Sequence, residues 1–406
     1  MTLNDLPPLA ADSPRPRAVS EGRSTVVAFV ADDDAEALVR KCLVEIGVSD
    51  GRVIRGTLED AIEQVRAGRS PRILIVDVSG IAEPIERLMS LGDVCDPSTS
   101  VIVIGDRSDI PFYRNLRDTG VTEYFFKPLV LEQLARCCEA VLVGTESRVG
   151  LRIGKLITVL GVRGGVGATT IAVNAAWHVA EELQRRAILV DLNLQGGDSA
   201  LQLDVPPSHA LYECLEHPDR IDELFLERAI VRSAPRLGIL SSLEPLEQAV
   251  NAHDASTLQV LSNLRTYYRY VVVDMPALIA PQMKDSLQSP GIILLVSDGS
   301  LSAARDVGRW RRHFGADRAG RRVLHILNMA RSDRDLPYDQ FVKAVGQAPD
   351  LTIPYDAAIV RATNAGTPAL TKSAALHAKM GALFTHIVGG VPVEHQASLI
   401  GRLFRR

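Results

Sequence analysis

Residues 162–170 read Val-Arg-Gly-Gly-Val-Gly-Ala-Thr-Thr and lie between a short apolar run, Leu156–Leu160, and a helical pattern through Ala172–Leu183. No other segment constrains the fold as much. Gly164, Gly165 and Gly167 let successive backbone N–H groups wrap an anion at a helix N-terminus, and Thr169 places a hydroxyl there for magnesium. Val166, Ala168 and Thr170 complete the loop. Such a turn needs a strand before it and a helix after it, the repeating unit of an open α/β sheet. One charge is missing, because the pattern GxxxxGK[ST] requires a lysine where this chain has Ala168. The loop reads as a nucleotide holder without a charge that hydrolysis uses. The plain alternative is that its glycines serve only a tight turn.

The rest of the chain keeps the same rhythm. Apolar strands are expected at Val26–Val30, Val53–Ile54, Ile73–Val76, Val101–Ile104 and Glu123–Phe126, with helical patterns between them and a last one over Leu131–Leu142. A second series runs through Leu156–Leu160, Ala187–Val190, Leu237–Leu240, Tyr270–Val273, Ile292–Val296 and Val323–Leu327. The fold class expected is α/β, with two doubly wound parallel-sheet domains. The divisions are a disordered tail at 1–22, a first domain at 23–144, a linker at 145–154, a nucleotide domain at 155–390 and a tail at 391–406. A net charge of −4 argues against a protein that coats DNA. The five cysteines show no metal spacing and read as reduced thiols. Residues 1–22 are no secretory signal, and no apolar run approaches the ~18–20 residues that span a bilayer. A cytoplasmic protein, at most peripheral on the inner membrane, is expected.

From about Leu156 to Leu370 the chain resembles the ParA/MinD group of P-loop ATPases. Val190-Asp191-Leu192-Asn193 stands where that family has an Asp-x-Asp pair that arranges the attacking water. Val271-Val272-Val273-Asp274, with Pro276 just beyond, resembles the strand-end aspartate that supports magnesium. Asn328 matches an asparagine used on the adenine edge, and Ile353-Pro354-Tyr355-Asp356 and Asn364-Ala365-Gly366 continue the likeness. The resemblance implies ATP or ADP with Mg2+, and a nucleotide-sandwich homodimer. It also implies two loop lysines, one acting within its own subunit and one reaching across the dimer. Ala168 removes the first, a charge-assisted bond contributing about 1.5–3 kcal/mol, or one to two orders of magnitude in affinity. Arg163 stands at the second, with a permanently charged, bidentate group suited to phosphate; the alternative is an ordinary exposed arginine. Asn193 replaces the second aspartate, and an amide positions water without accepting its proton. Slow or absent hydrolysis is expected.

The first domain resembles the receiver of two-component response regulators. Asp77 takes the phosphoacceptor position, Lys127-Pro128 that of the phosphoryl-contacting lysine, and Tyr124 that of the switching aromatic. Gly105 stands where receivers need Ser or Thr, and Asp32, Asp33 and Asp34 begin about two residues late for a magnesium pair. A receiver fold kept as an interaction surface is expected ahead of phosphorylation at Asp77. At the far end, Val393, Ala397, Ile400 and Phe404 share a helical face that Leu399 and Leu403 widen, with Arg402, Arg405 and Arg406 around it. That pattern suits either a reversible membrane anchor through Ile400, Leu403 and Phe404, or a helix packed on the domain.

A receiver-like domain ahead of a ParA/MinD-like domain with this loop resembles the CpaE/TadZ group of pilus assembly proteins. The resemblance implies a localisation and scaffolding role for a tight-adherence (Flp, type IVc) pilus, with pilus components or polar landmarks as partners. Two alternatives stand: an active MinD-like ATPase cycling on the membrane, and a regulator switched at Asp77.

Overall fold

Unbroken apolar runs become the central strands of two sheets. The computed structural model describes residues 24–143, 153–206, 208–315, 320–330 and 335–388. The expected tail at 1–22, most of the linker, and the amphipathic tail with Ile400, Leu403 and Phe404 lie outside the described residues.

The first sheet contains β1 (Val26–Val30), β2 (Arg52–Arg55), β3 (Ile73–Asp77), β4 (Ser100–Gly105) and β5 (Glu123–Phe126). Their order is β2-β1-β3-β4-β5 and every pairing is parallel, the doubly wound flavodoxin-like arrangement. Alternate residues feed opposite faces. Val27 and Phe29 of β1 join a core with α2 (Leu58–Ala67), α3 (Pro84–Val94) and α4 (Ile110–Asp118). Val26, Ala28 and Val30 join a second core with α1 (Asp33–Glu45) and α5 (Leu131–Val143). Asp32 caps α1 through the Ala35 N–H at 2.8 Å, and Thr57 opens α2 with a capping box closed by Asp60.

The second sheet contains β6 (Lys155–Gly161), β7 (Ala187–Asp191), β8 (Val231–Ala234), β9 (Leu237–Leu240), β10 (Tyr270–Met275), β11 (Gly291–Ser297), β12 (Arg321–Ala330) and β13 (Leu351–Pro354). They lie in the order β13-β12-β11-β6-β10-β7-β9-β8, parallel except that β8 runs antiparallel to β9. The α/β class is therefore as expected, with one antiparallel edge strand added by the Pro235-Arg236 hairpin turn. α6 (Ala168–Trp177) leads into a π-helical turn over residues 178–182, and α7 (Leu301–Phe314) covers β11. The glycine loop leaves β6 at the C-terminal edge, where neighbouring strands diverge in sequence order and open α/β sheets bind ligands.

Two ion pairs join the halves: Arg186 Nη1 to Asp96 Oδ2 at 2.6 Å, and Arg269 Nη2 to Asp93 Oδ1 at 3.0 Å. All five cysteines are buried and none is in a disulfide. No helix among the described residues is long and apolar enough to cross a membrane.

Candidate nucleotide site

The loop keeps the backbone shape that its glycines imply. Gly165 and Gly167 take positive φ of 79° and 84°, and side chains at Gly164 or Gly165 would meet nothing within 4 Å. A concave run of N–H groups ending at a helix N-terminus attracts anions. Gly167 caps α6 from the left-handed region, and a Cβ there would lie 2.4 Å from Asn328 Nδ2. That amide is buried and donates to Val166 O at 2.9 Å, so Asn328 braces the loop from β12. The adenine contact implied for Asn328 by resemblance would have to be made by a side chain already committed to Val166. Thr170 O accepts from Asn174 Nδ2 at 2.7 Å, and Asn174 Oδ1 accepts from Leu370 N at 2.7 Å. These bonds tie the first turns of α6 to the segment beyond β13. Ala168, the first residue of α6, packs its methyl against the core.

Two carboxylates stand beside this cradle. Asp191 and Asp274 are register partners at the ends of β7 and β10. Asp274 Oδ2 accepts from Thr169 Oγ1 at 2.6 Å. Asp191 accepts from Asn193 N at 3.0 Å and Ser199 N at 3.2 Å. Gly197 gives it room, since a Cβ there would sit 2.5 Å from Asp191 Oδ2. Burial pushes Asp191 up from the usual carboxylate range. Burial, and then the charge of Asp191, push Asp274 up to about 7. Two desolvated carboxylates and a hydroxyl beside an anion cradle suit a divalent cation that keeps part of its water shell. Among the described residues no group of three His, Cys, Asp or Glu could hold a metal by itself. Asn193 is exposed and its Oδ1 accepts from Gly196 N at 3.2 Å, closing its own loop.

Arg163 has a partner that the sequence did not announce. Its Nη2 and Nε donate to Asp306 Oδ2 at 2.8 and 3.3 Å. Asp306 lies on α7, and Arg305 Nε reaches its other oxygen at 3.0 Å. Burial alone would raise Asp306, but Arg163 and then Arg305 hold it below the usual range. Within one chain, therefore, Arg163 is neither an unpaired surface arginine nor aimed at its own loop.

In the first domain Asp77 is buried at the end of β3. Its Oδ1 accepts from Ser79 N at 2.9 Å and Ser79 Oγ at 2.6 Å; its Oδ2 accepts from Ala31 N at 3.1 Å and Lys127 Nζ at 2.6 Å. Lys127 also donates to Asp32. Burial lowers Lys127, but the bonds to Asp32 and Asp77 outweigh it and leave the ammonium raised. Asp33 is exposed and pairs with Arg55. The Tyr124 hydroxyl donates to Arg107 O at 2.6 Å and accepts from Arg107 N at 3.1 Å. It fills the space beside Gly105, where a Cβ would stand 2.6 Å from it. The missing Ser or Thr and the inward tyrosine are thus one packing choice. Sequence reasoning misses Asp306, Ser79, Ser199 and Gly197; Asp306 acts across 143 residues, while Ser79 meets Asp77 in a two-residue turn that carries no functional signature of its own.

No protein-family model matches the chain. It is 25% identical over 230 residues to the septum site-determining protein MinD of Synechocystis sp., covering 53% of this chain and 82% of that protein. It is 26% identical over 182 residues to the antiactivator FleN of Pseudomonas aeruginosa, covering 45% and 64%. The structure of a ParA family ATPase from Chlorobium tepidum superposes with a TM-score of 0.51 at 23% identity, over 56% of this chain and 96% of that one. A pilus assembly protein CpaE from Caulobacter crescentus is 34% identical, covering 29% of this chain and 93% of that chain, with a TM-score of 0.27. The glycine loop and the paired strand-end aspartates sit on a second sheet that shares its α/β fold with the ParA family ATPase structure, and the chain is similar in sequence to MinD over about half its length.

Proposed function

We propose that the chain is a nucleotide-dependent scaffold, in which ATP with Mg2+ favours a homodimer and hydrolysis is weak or absent. The observation that carries this reading is an intact backbone cradle beside Thr169, Asp191 and Asp274, with a methyl at Ala168 in place of an ammonium. Gly164 to Thr170 would hold the phosphates, and Thr169 with Asp274 would hold Mg2+, directly or through water. Bound there, the ion supplies the positive charge that this loop lacks. Asp191 would orient a water, while Asn193 in place of a second carboxylate and the absent lysine each slow its attack.

Dimerisation has support of its own. Leu201, Leu246, Leu278 and Leu301 are 67%, 80%, 86% and 66% exposed. They come after β7, β9, β10 and β11, on the same sheet edge as the loop. Exposed leucines following four strands on this edge would suit an association face. Arg163 would leave Asp306 and cross to the partner's nucleotide, a step that exchanges one ion pair for another.

The pilus reading rests on domain order. A receiver-like domain whose Asp77 is occupied by Lys127 and Ser79 is better suited to docking pilus components or a polar landmark than to phosphoryl transfer. A MinD-like ATPase cycling on the cytoplasmic face of the inner membrane, anchored by the tail at 391–406, is the second reading. Steady-state turnover and sedimentation velocity separate the two. The scaffold reading expects Mg-ATP to drive a dimer, Arg163→Ala to abolish it, and Asp306→Asn to increase it. Robust ATP turnover that disappears in Asp191→Ala would sink it.

A further inference from the structure

Asn193 leaves the end of β7 one carboxylate short, and the same loop carries another acid. Asp198 follows the glycine pair Gly196 and Gly197. The backbone on both sides of it is folded onto Asp191. A Cβ at Gly197 would stand 2.5 Å from Asp191 Oδ2, and Ser199 N donates to that same oxygen at 3.2 Å. A residue held between two such contacts keeps its own carboxylate beside the one its neighbours touch.

The loop is pinned on either side of Asp198. Its carbonyl oxygen accepts from Gln202 N at 2.9 Å and leads into the 3-10 turn Leu201–Leu203, in which Gln202 and Leu203 are buried. Upstream, Asn193 Oδ1 takes the Gly196 N–H, and Gln195 Nε2 donates to Pro245 O at 2.7 Å and Gln248 O at 2.9 Å. The Asp198 side chain itself is exposed, and among the described residues its carboxylate has neither a hydrogen bond nor a cation partner. Its charge bears instead on its neighbours: after burial, and for Asp274 after the charge of Asp191, it helps push both carboxylates up. Three like charges gathered at one strand end repel one another, and a cation relieves them. Ser199 adds a separate sign. Its side chain is fully buried, and its Oγ reaches no hydrogen-bonding geometry, although it lies near enough to Asp191 to pull that carboxylate down. A buried hydroxyl without a bond, beside a carboxylate, suits a water of a hydrated ion.

We propose that Asp198 takes over the charge missing at Asn193 and serves the water shell of Mg2+ at the glycine loop. The inference rests on the reading of that loop as a magnesium–nucleotide site. An exposed carboxylate with no bond to aim it supplies charge at a distance, which a hydrated cation can use. Activating one attacking water demands hydrogen-bond reach in a fixed direction, which Asp198 lacks. Its charge would also repel phosphate that arrives without the metal, so Asp198 would make the loop select nucleotide already carrying Mg2+.

Titration calorimetry of the full chain with ATP, in Mg2+ and in EDTA, tests this with Asp198→Asn and Asp198→Glu. Removing one partly screened charge should move each affinity by about three- to tenfold. Asp198→Asn should weaken ATP binding in Mg2+ and strengthen it in EDTA, while Asp198→Glu keeps the parent's dependence on the metal. Opposite shifts mark a charge directed at the cation, because damage to the loop weakens both. Shifts of the same sign in the two conditions, or no shift in either, would overturn the proposal. A parent chain that binds no nucleotide would sink the proposed function and this inference with it. A parent that binds nucleotide, with Asp198→Asn responding to Mg2+ just as the parent does, would sink this inference alone.

Discussion

Replacing Gly167 by alanine isolates the brace between β12 and the loop. The geometry imposes two costs. A residue with a Cβ at φ 84° loses about 1–2 kcal/mol. The new methyl would also stand 2.4 Å from Asn328 Nδ2, which must withdraw from Val166 O. Losing that buried bond costs about 1–3 kcal/mol. Gly167→Ala should therefore destabilise the second domain by about 2–5 kcal/mol. Asn328→Ala alone should cost about 1–3 kcal/mol. The two losses share one bond, so the double variant should be no less stable than Gly167→Ala, with a coupling of about 1–3 kcal/mol. Both tryptophans of the chain, Trp177 and Trp310, lie in this domain, so urea unfolding monitored by their fluorescence reports it selectively. Strict additivity of the two single changes would refute the brace. A neutral Gly167→Ala would refute the strained loop as well.

Burial lowers His178 to about 4, so it is neutral in the folded protein near neutral pH. The folded value lies below the unfolded value of 6.5, so its contribution is present above pH 6.5 and is lost as pH falls toward 4; that loss approaches about 3 kcal/mol. His178→Phe should flatten urea-unfolding stability across this window, and an unchanged slope would count against it. Lys127→Met should destabilise the first domain by about 3 kcal/mol by leaving Asp77 buried with a charge, and adding Asp77→Asn should recover most of that in circular-dichroism melts. Gly105→Ser should unseat Tyr124 and raise hydrogen exchange over residues 100–126; protection equal to the parent chain would refute the packing argument.

Central strands are legible in the sequence because they carry their own evidence. β1, β3 and β10 are buried at every position, and continuous apolar runs mark strands covered on both faces. β8 is not legible. Its Val-Arg-Ser-Ala is only partly buried, and its antiparallel pairing is set by the turn after it. β13 ends on Pro354, as only an edge strand tolerates, and its Leu-Thr-Ile-Pro lacks the apolar run that marks a strand, only Ile353 and Pro354 falling within the stretch likened to the ParA/MinD group. The site divides the same way. The glycines and Thr169 are local signals that spacing suffices to find, whereas the strand-end aspartates are picked out by their resemblance to the ParA/MinD group. The bond from Asn328 to the loop joins residues 162 positions apart, and that from Arg163 to Asp306 spans 143. Asp306 sits inside α7 as one charged residue among several, and nothing in helical periodicity distinguishes it.

The missing lysine changes what the remaining charges demand. In this loop no ammonium stands at Ala168, and Arg163 is occupied by Asp306. Asp191 and Asp274 face each other across adjacent strands; burial first, and then the charge of Asp191, drive Asp274 to about 7, with the Thr169 Oγ1 bond as partial relief. The positive charge has to arrive from outside the chain. A divalent cation meets that need for the carboxylates and the phosphates together, so affinity for nucleotide should depend more steeply on Mg2+ than in a loop with its own lysine. Ala168→Lys puts the charge back at the first position of α6. It should raise ATP affinity by one to two orders of magnitude and relax the Mg2+ requirement, read by calorimetry at fixed ATP with and without the metal. It should not by itself restore turnover, because Asn193 still cannot take a proton. If the variant hydrolysed ATP rapidly, the missing lysine would be the whole defect, and Asn193 would have to be read as competent.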